Sequence, residues 1–117
     1  MNRRKQGAEG EALAARYLEQ RGYTILRYNY RYGRGEIDLV AREGNELVFV
    51  EVKARHSTRM GDPEEAVTPA KQEQIRKVAE GYYYEHHIER QPCRFDVVAI
   101  TYKDGTAQIR LLRDAFS

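Results

Sequence analysis

Two apolar runs of the sequence contain carboxylates that a buried strand tolerates only with compensation. Asp38 lies within residues 35–40 and Glu51 within residues 47–53, and both have apolar neighbours on either side. Burial of an ionised carboxylate is costly unless a hydrogen bond or an opposite charge offsets it. A divalent cation such as Mg²⁺ prefers oxygen ligands and would supply that charge. Because a bound cation polarises a phosphoryl oxygen and lowers the pKa of bound water, this pattern is typical of a phosphodiesterase site.

Lys53 follows Glu51 by two residues, which places both side chains on one face of a strand. A lysine in this position orients a water molecule or stabilises charge in the transition state. Taken singly, a Glu-x-Lys tripeptide is more often a solvated surface pair. We expect Asp38 to lie on a neighbouring strand, on the face opposite to Ile37 and Leu39. The two carboxylates together therefore favour a shared metal site.

The first element that must position these residues is a helix predicted over about residues 6–21. Gly22 supplies its C-terminal stop. The apolar stripe of this helix consists of Ala8, Ala12, Ala15 and Leu18. Glu11 lies within the stripe. A glutamate in such a stripe either approaches a site on the sheet or only marks the edge of the buried face.

Three strands follow the helix. They are predicted over residues 23–30, 36–41 and 47–53 from their aromatic and β-branched composition and from the turn residues between them. We expect these strands to form an antiparallel meander. Residues 54–67 lack periodicity and predict a loop.

A second helix and two further strands complete the pattern. Thr68 and Pro69 predict the start of the helix, as a hydroxyl N-cap followed by proline at the first helical position. Gly81 interrupts the pattern before its end is defined. Strands are predicted over residues 94–102 and 106–112. The predicted order is α-β-β-β-α-β-β, and we expect a right-handed, parallel connection between the third and fourth strands.

The composition is compatible with one α/β domain over residues 1–117. There are 20 basic and 18 acidic side chains and a net charge of +2, so the total charge neither requires nor excludes nucleic acid. Cys93 is the only cysteine, which excludes an intrachain disulfide and favours a reducing compartment. No stretch is apolar enough for a signal peptide or a membrane span. We expect a cytoplasmic protein with no membrane partner.

Residues 35–38 read Gly-Glu-Ile-Asp, and residues 50–53 read Val-Glu-Val-Lys. These two motifs resemble the PD-(D/E)XK nuclease superfamily, whose members have the restriction-endonuclease-like fold. More closely, the chain is similar to the YraN family of small endonuclease-like bacterial proteins. That similarity covers nearly the full length and adds motifs at residues 7–11, 67–71 and 92–98.

The resemblance implies an α-β-β-β-α-β core with a mixed central sheet flanked by helices, in agreement with the elements predicted above. It also implies that Asp38, Glu51 and Lys53 are the catalytic residues. The implied ligands of Mg²⁺ or Mn²⁺ are Asp38, Glu51 and Glu11. Ile37 occupies the position of the proline for which the superfamily is named, and that proline is often absent among relatives. All three core residues are present, which argues against a degenerate site.

Several cationic and polar residues near the candidate site are predicted to contact nucleic acid. They occur in the loop before the Asp38 strand, directly after the Glu51 strand, and at the start of the second helix, a position that often contributes to the site in the superfamily. These residues are Arg31, Arg34, Arg55, Arg59, Lys71 and Gln72. Cations in such places hold phosphates, but any single arginine is more often an ordinary solvated residue. The three tyrosines at residues 82–84 are predicted to serve packing rather than base stacking.

These expectations describe a Mg²⁺- or Mn²⁺-dependent endonuclease that hydrolyses phosphodiester bonds in DNA. The superfamily includes dimeric junction resolvases of similar size, so the resemblance implies branched DNA as substrate and a homodimer. The alternative is a catalytically inactive nucleic-acid-binding module that retains the nuclease fold. A third interpretation is a protein-interaction domain in which Asp38, Glu51 and Lys53 form a buried salt-bridge network. We rank it last because such networks are a poor source of stability.

Overall fold

The computed structural model describes the backbone of residues 3–56, 62, 65 and 67–117, and the side chains of these residues from Gly7 onward. Two helices and five strands follow one another in this part of the chain, and the predicted order is confirmed. They are α1 (Arg3–Glu19), β1 (Thr24–Tyr32), β2 (Gly35–Glu43), β3 (Glu46–Arg55), α2 (Pro69–Glu85), β4 (Cys93–Lys103) and β5 (Thr106–Phe116). Neither of these helices is long and apolar enough to cross a bilayer.

The five strands form one mixed sheet in the order β1-β2-β3-β4-β5. Strands β1, β2 and β3 pair antiparallel, which confirms the predicted meander. Strand β4 runs parallel to β3, as predicted, and β5 returns antiparallel to β4. The protein is therefore an α/β structure in which β3 occupies the centre of the sheet. A carboxylate on β3 is consequently shielded from solvent by a strand on each side.

The two helices cover opposite faces of the sheet, and each completes its own cluster of buried side chains. Helix α1 contributes Leu18 to a cluster that includes Val50 of β3. Helix α2 contributes Val78 to a cluster that includes Phe49, the preceding residue of β3. Successive residues of β3 thus point to opposite helices, as the pleat of a strand requires. Both faces of β3 are covered.

The predicted apolar stripe of α1 is wrong at its first two positions. Ala8 and Ala12 are exposed, whereas Gly10, Ala14 and Leu18 are buried against the sheet. Small residues occur on all sides of this helix, so alanine spacing alone does not determine which side meets the sheet. The helix also begins and ends slightly earlier than predicted.

Helix α2 begins where the sequence predicts. Thr68 is extended, and its Oγ1 accepts a hydrogen bond from the backbone N–H of Lys71 at 3.2 Å, with Pro69 in the first turn. Gly81 does not end the helix. It is buried within α2, where a Cβ would overlap the ring of Tyr32 at the end of β1. This glycine allows the end of β1 to pack directly against the helix.

Candidate functional site

Asp38 lies where the backbone pairing of β2 with β3 gives way to a side-chain contact. The two strands are paired as far as Leu39 opposite Val50. At Asp38, the residue before Leu39 in β2, Oδ2 of the side chain accepts a hydrogen bond from the backbone N–H of Val52 at 2.7 Å. The Asp38 carboxylate therefore takes the place of a backbone acceptor and is held against the central strand.

The predicted orientation of Asp38 is wrong, because its neighbours Ile37 and Leu39 do not share a face. Ile37 packs in the cluster of α2 and Leu39 in the cluster of α1. On the facing strand, the register places Asn29 opposite Asp38, and Asn29 has a φ of 50°. This left-handed conformation is one that asparagine tolerates better than most residues. Both strands thus depart from regular pleating at the same point.

Three carboxylates converge at this irregularity. Glu11 of α1 and Glu36 and Asp38 of β2 each place one oxygen within 4.8 Å of the other two. All three residues are half-buried. Anions at this separation repel one another unless a proton or a cation lies between them. Their spacing also suits oxygen ligands of one cation.

Glu51 of β3 brings a fourth carboxylate to the cluster. Its side chain is 4% exposed and is hydrogen-bonded to the carboxyl group of Asp38. Oε2 of Glu51 forms an ion pair with Nζ of Lys71 at 3.4 Å, but has no hydrogen bond to any residue that the structure describes. A buried carboxylate oxygen without a hydrogen bond is destabilising. Glu51 therefore retains capacity for a further cationic partner.

Burial raises the pKa of Asp38 from its ordinary value of 3.8 to about 8, and the hydrogen bond to Glu51 and the charge of Glu51 act in the same direction. The hydrogen bond from the N–H of Val52 and the charge of Lys53 oppose this rise. A carboxyl pKa rises in this way when the ionised form lacks compensation. The protein groups around Asp38 thus supply too little positive charge for it.

The pKa of Glu11 is also raised, first by burial and then by the charge of Asp38. A hydrogen bond with the side chain of Asn29 opposes the rise, and the charge of Glu36 adds to it. Glu11 and Asp38 come from separate elements, and the charge of Asp38 disfavours the ionised form of Glu11. Burial and a neighbouring carboxylate thus raise the pKa of two acidic side chains at one place.

A cleft of about 510 Å³ opens onto Glu11 and Asp38 of this cluster. It lies beside α1 and the end of β3, and residues that line it include Glu9, Glu11, Asp38, Lys53, His56 and Tyr102. The rings of His56 and Tyr102 are stacked, with centroids 5.0 Å apart. The structure therefore brings Lys53 to the same cleft as two of the predicted metal ligands.

The predicted arginine contacts are divided among different places. Arg31 forms an ion pair with Glu36 at 3.6 Å, and its side chain is 77% exposed. Arg34 instead lines a separate cleft between the β1–β2 turn and α2. Arg55 is half-buried at the end of β3. Arg59 lies outside the described residues.

The two predicted polar residues of α2 also differ from each other. Lys71 reaches Glu51 through the ion pair already described and donates a hydrogen bond to Oε1 of Gln74 at 3.1 Å. Gln72 donates a hydrogen bond to the carbonyl oxygen of Val67 at 3.2 Å. Gln72 therefore holds the start of the helix, while Lys71 belongs to the carboxylate cluster.

Sequence reasoning assigned no role to Asn29 or to Glu36, although both lie at the cluster. Glu36 stands two residues before Asp38, so strand periodicity was a signal that could have identified it. Asn29 offers no comparable signal. Its contact with Glu11 accompanies a positive φ that the sequence does not specify.

Comparison with known proteins places the chain among bacterial relatives of similar length. It is 47% identical to a UPF0102 protein of Syntrophus aciditrophicus over 110 residues, covering 94% of this chain and 87% of that protein. It is 46% identical to a UPF0102 protein of Symbiobacterium thermophilum, covering 97% of each chain. A UPF0102 protein of Lachnoclostridium phytofermentans is 47% identical over 117 residues, covering 99% of this chain and 96% of the relative. The family model described as "Uncharacterised protein family UPF0102" matches residues 10–100, and the chain belongs to that family.

Proposed function

We propose that the protein is a divalent-metal-dependent endonuclease that hydrolyses phosphodiester bonds in DNA. The observation that carries the proposal is the convergence of carboxylates from α1, β2 and β3 beside one open cleft. Charged groups gathered in this way cost stability unless a ligand compensates them. The cleft makes the cluster accessible to a substrate.

The residues fit a hard divalent cation. Asp38, Glu51 and Glu11 would supply carboxylate oxygens, the ligand type that Mg²⁺ and Mn²⁺ prefer, and Glu36 offers a further one. A cation would also oppose the rise in the pKa of Asp38, because positive charge stabilises the ionised carboxylate. When bound, such an ion supplies Lewis acidity toward a phosphoryl oxygen and lowers the pKa of a coordinated water.

Lys53 is the cationic residue best placed to act on the substrate. It lines the cleft, and its charge already acts on Asp38. We assign to Lys53 the orientation of the attacking water and the stabilisation of charge on the scissile phosphate. The N–H of Val52 fixes the Asp38 carboxylate through the 2.7 Å hydrogen bond, so this ligand is held in place before substrate arrives.

The arrangement of the secondary structure supports the same proposal. The restriction-endonuclease-like core expected from the sequence resemblance consists of a helix, a three-stranded meander, a second helix and a parallel strand. The order α1-β1-β2-β3-α2-β4 and the parallel pairing of β3 with β4 agree with that expectation. On this basis we infer the restriction-endonuclease-like fold, with branched DNA as the substrate and a homodimer as the active form.

The decisive experiment incubates the protein with linear, nicked, flapped and four-way-junction DNA in the presence of Mg²⁺, Mn²⁺ or EDTA. We expect cleavage with either metal and none with EDTA. Asp38→Asn and Glu51→Gln are expected to lower the rate by at least about 100-fold. Asp38→Asn suits this test because an amide oxygen still accepts the N–H of Val52, so the fold is preserved.

Glu11→Gln and Glu19→Gln form a matched pair for the same assay. Both remove a carboxylate from α1, but Glu19 is exposed at the end of the helix. Only Glu11→Gln is expected to weaken Mn²⁺ binding, measured by titration calorimetry. Cleavage that survives in Asp38→Asn would refute the proposal. Tight, salt-sensitive DNA binding without cleavage would instead identify the inactive binding module.

A further inference from the structure

A second cleft, separate from the one at the carboxylates, lies between the β1–β2 turn and α2. Its volume is about 530 Å³. Residues that line it include Tyr32, Arg34, Gly35, Gln74, Lys77 and Tyr84. We refer to the surface formed by these six residues as the tyrosine cleft. Its lining combines aromatic rings with cationic side chains.

Close contacts between backbone and side chains shape the tyrosine cleft. A Cβ at Gly81 would overlap the ring of Tyr32, and a Cβ at Gly35 would overlap the side chain of Val78. The Tyr32 ring therefore lies directly against the helix backbone. Tyr32 nevertheless remains 39% exposed, and Tyr84, one helical turn after Gly81, is 76% exposed. Two tyrosines thus present ring surface to solvent at one cleft.

The exposure of Tyr84 differs from the packing role predicted for residues 82–84. Tyr82 is buried and stacks on His86 at a centroid distance of 4.0 Å, and Tyr83 is half-buried with its hydroxyl donating to the carbonyl of Gln91. The packing role therefore describes the first two tyrosines. Tyr84 has neither kind of contact among the described residues, so its ring is available to a ligand.

The charges of the tyrosine cleft favour an anionic ligand. Arg34 and Lys77 make no ion pair with any residue in the described part of the chain, whereas Glu80 contributes one negative charge to the lining. Cations without partners beside exposed aromatic rings are the combination that binds single-stranded nucleic acid: the cations hold phosphates and the rings stack on bases. A purely apolar peptide would leave both cations uncompensated.

Side-chain contacts connect the tyrosine cleft to the carboxylate cluster. Gln74 lines the cleft and accepts a hydrogen bond from Lys71 at 3.1 Å, and Lys71 forms the 3.4 Å ion pair with Glu51. On β2, Gly35 lines the cleft and Glu36, the next residue, belongs to the cluster. The tyrosine cleft and the carboxylate cluster therefore meet at the start of β2, where Gly35 and Glu36 are consecutive residues.

We propose that the tyrosine cleft binds an unpaired segment of the nucleic acid strand adjacent to the phosphate that is cut. This inference rests on the proposed function and adds to it a preference for substrates with single-stranded character. Tyr84 and Tyr32 stack on bases, and Arg34 and Lys77 bind the flanking phosphates. Bases inside a regular duplex are already stacked and do not offer their faces to these rings.

The test measures binding by fluorescence anisotropy with labelled oligonucleotides in EDTA, so that binding is read without cleavage. The probes are single-stranded DNA, single-stranded RNA and duplex DNA of one sequence. We expect the parent to prefer both single strands over the duplex. Tyr84→Ala is expected to weaken single-strand binding by about ten-fold, whereas Tyr84→Phe retains the ring and binds like the parent.

Matched variants separate this cleft from general surface effects. Tyr28→Ala removes a tyrosine that is 52% exposed elsewhere on β1, and we expect it to leave binding unchanged. Lys77→Gln is expected to reduce the slope of log K against log salt by about 0.7, the value for one phosphate contact on a single strand. Arg42→Gln, an exposed charge at the far end of β2 from Gly35, should leave that slope unchanged.

The outcomes distinguish this inference from the proposed function. Equal binding of single strands and duplex, or parent-like binding by both Tyr84→Ala and Lys77→Gln, would overturn the inference even if the parent cleaves DNA. Selective loss in these two variants supports it even if no cleavage is found. If these two variants bind single-stranded DNA and RNA more weakly to the same extent, the cleft contacts bases and phosphates. If they lose affinity for only one of the two, the cleft accepts the sugar of that nucleic acid. Thermal unfolding of Tyr84→Ala should match the parent, because the residue is exposed.

Discussion

Among the described residues, the clusters of charged groups around Asp38 and Asp96 use an aspartate in the same way. Asp38 accepts the backbone N–H of Val52 at 2.7 Å where β2 and β3 part. Asp96 accepts the backbone N–H of Asp114 at 2.9 Å, next to an irregularity in the pairing of β4 with β5. In both places a carboxylate satisfies a donor that the sheet leaves unpaired. The clusters differ in everything else that surrounds the aspartate.

The cluster around Asp96 is electrically balanced. Arg94, which is 8% exposed, donates to Asp96 at 3.1 Å, to Glu46 at 2.6 Å and to Glu43 at 2.7 Å. Burial acts to lower the pKa of Arg94, but the hydrogen bonds to these carboxylates outweigh this effect, so the pKa of Arg94 is raised above its ordinary value. Tyr23 donates to the other oxygen of Asp96 at 2.9 Å. The guanidinium of Arg94 thus has a carboxylate partner on β2, β3 and β4.

The cluster around Asp38 has more carboxylates than cations in contact with them, although Arg31 pairs with Glu36 at 3.6 Å. Glu11, Glu36 and Glu51 add carboxylates to it. Glu51 forms an ion pair with the ammonium group of Lys71 at 3.4 Å, without a hydrogen bond of the kind that Arg94 makes to its carboxylates. The comparison separates two uses of buried charge. Around Asp96 each of these carboxylates is hydrogen-bonded to Arg94, whereas around Asp38 a buried oxygen of Glu51 has no hydrogen bond to any described residue.

Removal of the aspartate from the balanced cluster should have the largest effect on stability. Asp96→Ala leaves Arg94 buried without its central partner. The N–H of Asp114 and the hydroxyl of Tyr23 also lose the acceptor of their hydrogen bonds. We expect the free energy of unfolding to fall by about 3–5 kcal/mol, as when one member of a buried ion pair is deleted. Urea unfolding monitored by circular dichroism measures this.

Glu73→Ala is the control for that measurement. Glu73 pairs with Arg76 on the surface of α2, where its side chain is 58% exposed, and its removal should cost no more than about 0.5 kcal/mol. Asp96→Asn keeps one acceptor and should fall between the two. A loss of less than about 1 kcal/mol in Asp96→Ala would show that Arg94 is not left buried without compensation when Asp96 is removed.

The fold was largely predictable from the sequence because its signals are local. Thr68 and Pro69 predict the start of α2, and the turn residues between the first three apolar runs predict the meander. The orientation of α1 was not predictable, because its alanines occur on more than one side. Gly81 gives a misleading stop signal, since its role is to admit the ring of Tyr32 from a distant part of the chain.

The sequence indicated which residues belong to the candidate site better than it indicated how they are oriented. Asp38 and Glu51 stand out because charges interrupt apolar runs, and the structure brings their carboxyl groups together. The orientation of Asp38 depends on an irregularity shared with Asn29, which no periodic rule reports. The role of Lys71 required knowledge of how α2 packs over β3, and this is set by side chains far apart in the sequence.

The imbalance around Asp38 should appear as a dependence of stability on pH. The pKa of Asp38 is raised from 3.8 to about 8 in the folded protein, so between these pH values the folded state holds a proton that the unfolded chain releases. The free energy of unfolding must then fall as pH rises through this window. The slope contributed by one group is at most about 1.4 kcal/mol per pH unit. Urea unfolding in EDTA between about pH 5 and about pH 8 measures it.

Asp38→Asn tests the origin of that slope. The substitution retains an acceptor for the N–H of Val52 and removes the ionisable group, so the variant should show a flatter pH profile and greater stability than the parent at the alkaline end. Saturating Mg²⁺ should flatten the parent's profile in the same way. An unchanged slope in the variant would mean that Asp38 is compensated within the protein, like Asp96.

The smallest effect is expected for Lys71, which partly compensates the unbalanced cluster. Lys71→Gln removes the 3.4 Å ion pair with Glu51, and because the lysine side chain is 32% exposed the cost in stability should stay below about 1 kcal/mol. Loss of this positive charge should nevertheless strengthen Mn²⁺ binding by about two- to five-fold, because it removes repulsion of the cation. Lys77→Gln on the same helix, which has no such contact, should leave Mn²⁺ affinity unchanged in titration calorimetry. Equal affinities for Mn²⁺ in the parent and Lys71→Gln would place the metal away from Glu51. Weaker binding in Lys71→Gln would mean that the ion pair holds Glu51 in its ligating position and does not compete with the cation.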